Sequence, residues 1–289
     1  MNRGLITKAL SGFYYVKDDE SGELHECRAR GVFRHRGQSP LVGDRVEYDG
    51  KNTILSILPR KNSFVRPSVA NMDMLIFVAS GAEPVTDPFL IDRISVIAEA
   101  SGCEMLLVLN KTDVNPAEAL EGIYRRSGIP TVKTSALSGE GISELRELIS
   151  GKVCAFTGNS GVGKSSILNL LVPDACMETA EISSHLGRGK HTTRFVQLFE
   201  LDESTTVADT PGFASFEIEM VGNIAAEELP GLFTDFAPFI KDCRFADCTH
   251  INEPDCSLKQ ALEEGKIQSS RYCSYKKLYD IIKNNRPWD

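Results

Sequence analysis

Gly158-Asn159-Ser160-Gly161-Val162-Gly163-Lys164-Ser165 lies just past the middle of a 289-residue chain, and its reading decides the fold. It matches G-x-x-x-x-G-K-[ST]. The glycines let the backbone wrap so that successive N–H groups point inward at a polyphosphate. Lys164 sets a point charge against the outer phosphates, and the Ser165 hydroxyl is suited to Mg²⁺. A helix opening at Lys164, with Ser166 in its first turn, adds the positive end of its dipole. The bland alternative is a glycine-rich turn. The context argues against that, because Lys152–Thr157 reads as a strand and a helical pattern follows.

Working outward, residues 63–220 alternate strands and helices. Met72–Ala79 is apolar without alternation, as a strand buried on both faces should be. A helix follows, capped by Asp87 with Pro88 in its first turn and Leu90, Ile91, Ile94, Ile97 and Ala98 as its apolar stripe. Met105–Leu109 is a second buried strand. Asn115-Pro116 is expected to open a helix, with Glu118 at the capping-box position. Pro130–Lys133 is a third strand. Gly141–Ile149 is a helix with Ile142, Leu145, Leu148 and Ile149 inward. The pattern predicts an α/β domain with a parallel sheet.

Residues 1–62 read differently. Leu5–Leu10, Phe13–Val16, Glu23–Arg30, Asp44–Tyr48 and Thr53–Leu58 are short β-prone runs separated by turn signals. They predict a small barrel, OB-like or SH3-like. Arg28, Arg30, Arg34, His35 and Arg36 lie in or beside one hairpin, which is either a solvated surface or an RNA-binding face. Residues 221–289 look helical, with Ser269–Asn284 as a final helix.

Two further motifs bear on the phosphate loop. Asn110-Lys111-Thr112-Asp113 follows a predicted strand and, beside a P-loop, resembles the NKxD motif of GTPases. There the carboxylate accepts two hydrogen bonds from the N1 and N2 edge of guanine, a donor pair that adenine lacks. A site built this way discriminates by about 10⁴ or more. Lys111 would lay its stem along the ring. Thr134-Ser135-Ala136-Leu137 resembles the companion loop, with Ser135 and the Ala136 N–H as base contacts. Asp209-Thr210-Pro211-Gly212 resembles a switch, in which Asp209 holds Mg²⁺ through water and the Gly212 N–H senses the γ-phosphate. Thr192 or Thr193 would cap Mg²⁺ in the triphosphate state. Many GTPases orient the attacking water with Gln after DxxG, but here that place holds Phe213. His191 is the candidate replacement, with an exposed partner-contacting histidine as the alternative.

The order of these motifs is permuted. The base loops at 110 and 136 precede the phosphate loop at 158, and the switches follow. The short link Ser150-Gly151-Lys152 permits this, because permutation at surface sites is tolerated.

Cys243-x4-Cys248-x-His250-x5-Cys256 supplies three thiols and one imidazole. That suffices for a closed tetrahedral Cys₃His site, which favours structural Zn²⁺ and leaves no open position for metal catalysis. The remaining cysteines, Cys27, Cys103, Cys154, Cys176 and Cys273, are scattered and read as reduced core or surface thiols.

Composition bounds the rest. The chain is 42% hydrophobic and 25% charged, which excludes wholesale disorder and fibrous repeats. No apolar stretch approaches membrane-spanning length, and the N-terminus lacks a signal-peptide pattern. A cytoplasmic protein is expected. The net charge of −8 argues against whole-protein affinity for nucleic acid. Residues 1–62 and 259–289 nevertheless each carry a net +3, which permits a nucleic-acid partner gripped by the ends.

These motifs together resemble the RsgA (YjeQ/YloQ) family of bacterial small-subunit-dependent GTPases. The resemblance covers essentially the whole chain, including Gly187-Arg188-Gly189-Lys190-His191-Thr192-Thr193 and the apolar Phe213. The N-terminal extension of some members is absent or very short. The resemblance implies a circularly permuted GTPase domain at 63–220, preceded by an RNA-binding OB barrel at 1–62 and followed by a zinc-binding helical domain at 221–289. It also implies a monomer that binds the 30S subunit and its 16S rRNA late in assembly and hydrolyses GTP with Mg²⁺ when the subunit stimulates it. The alternatives are a regulatory GTPase with a non-ribosomal protein partner, a nucleotide-sensing scaffold without useful turnover, and a P-loop kinase of a small metabolite. The Asn110–Asp113 motif and the permuted order count against the kinase.

Overall fold

The computed structural model describes residues 1–35, 38–64, 68–172, 196–209, 221 and 224–284. In chain order, β1 is Asn2–Leu10, β2 Phe13–Asp18 and β3 Leu24–Ala29, followed by the short α1, Val32–His35. Next come β4 Arg45–Tyr48, β5 Thr53–Ile57, β6 Ser63–Phe64, β7 Val69–Ala70 and β8 Met74–Ser80. The middle of the chain contains α2 Pro88–Ala100, β9 Glu104–Asn110, α3 Glu118–Tyr124, β10 Thr131–Lys133 and α4 Ile142–Ile149. Then follow β11 Val153–Thr157, α5 Lys164–Leu171, β12 Gln197–Glu200 and β13 Thr206–Asp209. Beyond these lie short helical turns at Leu229–Leu232 and Ala237–Ile240, then helices Ser257–Glu263 and Ser269–Asn284. Among the described residues no helix is long and apolar enough to cross a membrane.

The chain divides into two compact units. The first comprises Met1–Leu75, Ser143–Thr157 and Lys164–Phe213. Its N-terminal strands follow the order β1-β2-β3-β5-β4, and β1 pairs with β4 to close a five-stranded barrel. Ser11 and Gly12 make the β1–β2 turn with φ of 51° and 85°, the mirror-image turn that suits a tight hairpin. Ile6, Val16, Cys27, Val46 and Ile54 are wholly buried and fill the interior. Burial pushes the Cys27 thiol up to about 11, so it stays an inert core group. Asp18 accepts from the Ser21 and Glu20 N–H groups and from the Tyr48 hydroxyl. The Ser21 N–H and the Tyr48 hydroxyl are the main reasons its carboxyl sits well below the usual carboxylate range. Beyond β3 the basic stretch leaves the hairpin, with α1 taking up Val32–His35; the side chains of Arg34 and His35, and all of Arg36, lie outside the described residues.

The same unit contains a strand that the sequence pattern does not announce. β12 runs antiparallel to β13, pairing Gln197 with Asp209, and also pairs with the barrel through Lys8 and Gln197. Lys17 and Glu200 add an ion pair at 2.6 Å. β13 in turn lies parallel to β11. On α4, Leu145 and Ile149 are buried as expected, but Leu148 is 37% exposed. The helix buries an i, i+4 pair, and Leu148 falls at its flank.

The second unit comprises Ile76–Ile142, Gly158–Gly163 and Ala214–Asp289. Its strands follow the order β10-β9-β8, with β10 and β9 parallel. Residues 74–80 are buried throughout, as a strand covered on both faces must be. Asp87 caps α2 by accepting from the Phe89 N–H at 2.9 Å. The start of α3 departs from expectation. Asn115 Oδ1 accepts from the Ala117 N–H at 2.8 Å, and Ala117 turns through the left-handed region at φ 54°. Glu118 is therefore the first helical residue and not a capping-box partner. Asn115 is turned against Gly81, where a Cβ would meet its side-chain oxygen at 2.8 Å.

The C-terminal helix Ser269–Asn284 packs on α2. At that contact Arg271, 1% exposed, donates to Asp92 Oδ1 at 2.7 Å and to both oxygens of Asp235. The Tyr124 hydroxyl lies 2.9 Å from the same Asp92 oxygen. Phe233 stacks on Phe236 with centroids 4.7 Å apart, and Tyr275 meets both edge-on at 5.8 and 5.6 Å.

Candidate functional site

Within the second unit the loops at 110–113, 134–136 and 158–163 meet at one side chain. Asn110 ends β9 and is 1% exposed. Its Nδ2 donates to the Val162 carbonyl at 2.8 Å. Its Oδ1 accepts from the Ala136 N–H and from Thr134 Oγ1, each at 3.1 Å. One amide thus joins three loops far apart in sequence. Glycine is obligatory at the closest approaches. A Cβ on Gly163 would sit 2.2 Å from Asn110 Nδ2, and one on Gly158 would sit 2.2 Å from the Val78 carbonyl oxygen. Both positions also have positive φ, 100° and 129°.

Lys111 follows with φ 65°, and its ammonium donates to the Glu83 carbonyl at 2.7 Å. The head of the side chain is fixed, so its stem has a defined course. Thr112 donates through both its N–H and its hydroxyl to the Thr134 carbonyl. Asp113 accepts at Oδ1 from the Ser135 hydroxyl, at 2.6 Å. Ser135 Oγ also accepts from the Ser138 N–H. The carboxylate is therefore aimed by a buried neighbour, while Asp113 itself remains exposed. Ala136, expected to offer its N–H to a base, here gives it to Asn110.

The phosphate loop leads directly into α5, which begins at Lys164. Asn159 is half-buried, Ser160 and Gly161 are exposed and Val162 is buried. Lys164, Ser165 and Ser166 are each half-buried in the first turn of α5. The backbone of Asp209 closes β13. His191, Thr192, Thr193 and Gly212 lie outside the described residues, as do Phe213 and the side chain of Asp209.

The four expected metal ligands converge. The ligand atoms of Cys243, Cys248, His250 and Cys256 all lie within 4.8 Å of one another. His250 Nδ1 is 3.4 Å from both Cys243 Sγ and Cys256 Sγ, and those sulfurs are 3.9 Å apart. Tetrahedral bonds of the usual Zn–S and Zn–N lengths imply edges of about 3.5–3.8 Å. Cys243, His250 and Cys256 meet those edges closely and Cys248 lies within 4.8 Å of them, so the donor set suits a tetrahedral divalent ion. Burial lowers the basicity of His250, which keeps the imidazole neutral as a ligand must be. Burial opposes ionisation of Cys243, but the Ser257 and Leu258 N–H donors outweigh it and lower its pKa.

Sequence reading missed what supports this knuckle. Glu253 accepts from the Thr249 N–H and hydroxyl and from the Ile251 and Asn252 N–H groups. Burial works against its charge, yet these donors pull it down to about 2. The Tyr272 hydroxyl donates to the His250 carbonyl at 2.7 Å and that of Tyr275 to the Thr249 carbonyl at 2.6 Å. A glutamate between the second and third cysteine is the only local signal; the tyrosines are visible only in three dimensions.

Comparison with known proteins gives concordant results. Residues 57–219 match the family model described as RsgA GTPase, and residues 3–57 match that of the RsgA N-terminal domain. The small ribosomal subunit biogenesis GTPase RsgA of Alkaliphilus metalliredigens is 42% identical, over 99% of both chains. Its namesake from a Geobacillus species is also 42% identical, again over 99% of both. Among solved structures, YjeQ from Thermotoga maritima superposes with a TM-score of 0.81 at 39% identity, covering 99% of each chain. YloQ, described as a circularly permuted GTPase, gives 0.76 at 34% identity, covering 99% of this chain and 96% of its own.

Proposed function

The chain belongs to the RsgA GTPase family, and on that premise we propose that it hydrolyses GTP to GDP and phosphate while bound to the small ribosomal subunit, assisting a late step of that particle's maturation. The observation that carries the nucleotide half of this reading is Asn110. Its amide ties the Val162 carbonyl of the phosphate loop to the Ala136 N–H of the base loop, so a site whose motifs are permuted along the chain is coherent in space.

The residues divide the work. Asp113, aimed by Ser135, reads the N1–N2 edge of guanine, and the stem of Lys111 lies along the ring. The N–H groups of the loop from Gly158 to Gly163, together with Lys164 and the first turn of α5 at Ser165 and Ser166, take the phosphates. Mg²⁺ bound with GTP neutralises charge on the outer phosphates. Ser165 and one of Thr192 and Thr193 would ligate it, with Asp209 reaching it through water. Gly212 senses the γ-phosphate, and His191 is the candidate to orient the attacking water. With Phe213 where many GTPases carry glutamine, intrinsic turnover is slow and a large partner accelerates it.

Cys243, Cys248, His250 and Cys256 would hold one structural Zn²⁺. Along the chain we read three segments, a barrel at 1–62 that contacts 16S rRNA, the permuted GTPase domain at 63–220 and the zinc-binding segment at 221–289, in a cytoplasmic monomer.

The test is GTP turnover of the purified chain with and without 30S subunits, with ATP and 50S subunits as controls. Strong GTP-specific stimulation by 30S alone supports the reading. Turnover unmoved by 30S removes the partner but leaves the GTPase. Lys164→Ala should lower turnover by about 10²–10³-fold through loss of charge stabilisation; unchanged turnover would remove the site.

A further inference from the structure

A groove of about 760 Å³ opens beside the Cys₃His cluster in the second unit, outside the nucleotide loops. Cys243, Cys248 and His250 contribute to its lining. Pro230, Leu232 and Ile240 make part of it apolar, and Phe245, 39% exposed, adds an aromatic ring. Glu99 at the end of α2, with Glu227 and Glu228, supplies three exposed carboxylates against the one ammonium of Lys241, a net formal charge of −2. A divalent ion held by three thiolates and a neutral imidazole adds roughly one further negative charge. The Arg244 guanidinium, paired with Asp255 at 2.9 Å, lies 5.5 Å from the centroid of the Phe245 ring, so this ring already takes one cation–π contact within the chain.

We propose that this groove docks an extended, Arg- and Lys-rich segment of a protein partner, and not RNA. The size lies in the upper part of the range for built binding sites, enough for a few extended residues. The apolar lining and the Phe245 ring suit the methylene stems and guanidinium planes of such a segment, which bury their stems while the charged heads meet carboxylates. Phosphates brought to the same surface meet three carboxylates and an anionic metal centre. The C-terminal segment, though basic at its end, thus presents a cation-seeking face next to the cluster. The inference goes beyond the nucleotide reading, because binding here requires neither GTP nor turnover.

The experiment uses the full-length, zinc-loaded chain without nucleotide. Fluorescence anisotropy follows a fluorescein-labelled peptide of alternating Arg and Gly, and separately a labelled oligouridylate of similar length. The peptide should bind saturably and weaken with salt. Glu99→Gln/Glu227→Gln/Glu228→Gln should weaken it about tenfold or more, while Glu20→Gln/Glu23→Gln/Glu203→Gln, which removes the same charge from exposed positions in the first unit, should change it less than about twofold. Phe245→Ala should weaken it about threefold. Zinc content and melting temperature verify that each variant folds. If the triple variant loses zinc, Glu99→Gln/Glu228→Gln provides the same comparison with a smaller expected loss. Equal weakening by both triple variants would reduce the effect to net charge and overturn the proposal. So would absence of saturable peptide binding, or oligouridylate binding that Lys241→Ala and Phe245→Ala abolish.

Discussion

The loops at 110–113 and 134–136 and the Cys₃His knuckle are both built from irregular backbone, but they are held in different ways. The loops at 110–113 and 134–136 hang from buried parallel strands, and their side chains bond to one another: Asn110 to Val162 and Ala136, Ser135 to Asp113, Lys111 to Glu83. The loops are thus tied by hydrogen bonds within the chain. Among the described residues the knuckle at 243–256 contains no strand, and three of its donor atoms are mutual neighbours at 3.4–3.9 Å. Glu253, Tyr272 and Tyr275 hold the backbone around these donors, but the thiols and the imidazole face one another, an arrangement that a shared cation would stabilise. A preformed polar network tolerates loss of its ligand; a closed donor set does not.

The largest break in this comparison should come from the metal. His250→Ala, or a strong chelator, is expected to reduce bound zinc from one per chain to near none and to melt the knuckle, because metal binding energy of about 10–16 kcal/mol is folding energy in such sites. Metal analysis and hydrogen exchange over 243–256 check it, with exchange at the base loops unchanged. The pH dependence has a definite sign. The metal-free Cys248 thiol is pushed up to about 12, chiefly by burial, so zinc must displace its proton and affinity should rise with pH. Chelator competition across neutral pH reads that slope.

Asn110→Ala ranks next. It strands the buried Val162 carbonyl, at a cost of about 1–3 kcal/mol, and the part-buried Ala136 N–H, and should weaken GTP about a hundredfold with zinc content untouched. Calorimetry of nucleotide binding decides it, and loss of zinc in this variant would erase the contrast. Asp113→Asn should lower the preference for GTP over other purine triphosphates by about 10–100-fold, measured by competition. The smallest effect should be Ser135→Ala, which removes the hydrogen bond that aims Asp113. Loss of about 1 kcal/mol should appear as a roughly fivefold higher KM with little change in kcat.

Much of the site was legible in sequence because its chemistry depends on spacing. The phosphate loop, Asn110–Asp113 and the four metal ligands announce themselves, since wrapping a phosphate or closing a tetrahedron needs fixed intervals. What escaped is set by partners distant in the chain. β12 is only four residues, Gln197–Glu200, and exists because β1 and β13 flank it. Arg271 reads as one more basic residue on the last helix, yet it is buried in an ion pair with Asp92, 179 positions away. Asn115 looked like a helix start, but packing against Gly81 claimed its side chain for a turn. Local pattern cannot anticipate a contact whose other half lies elsewhere.

The pairing of β1 with β12 has a consequence for how the chain is made. On a ribosome, β1 to β5 emerge first and the barrel closes early, through β1 and β4 at Asn2–Leu5. The far half of β1, at Lys8, waits for Gln197. At translation rates of about 5–20 residues per second, the roughly 140 residues between the end of β5 and Gln197 take about 7–28 s. Through that time a newborn barrel carries an open strand edge, the feature that invites wrong pairing between nascent chains. The residue at that point on the edge is a lysine, whose charge discourages such pairing until the chain delivers its own partner.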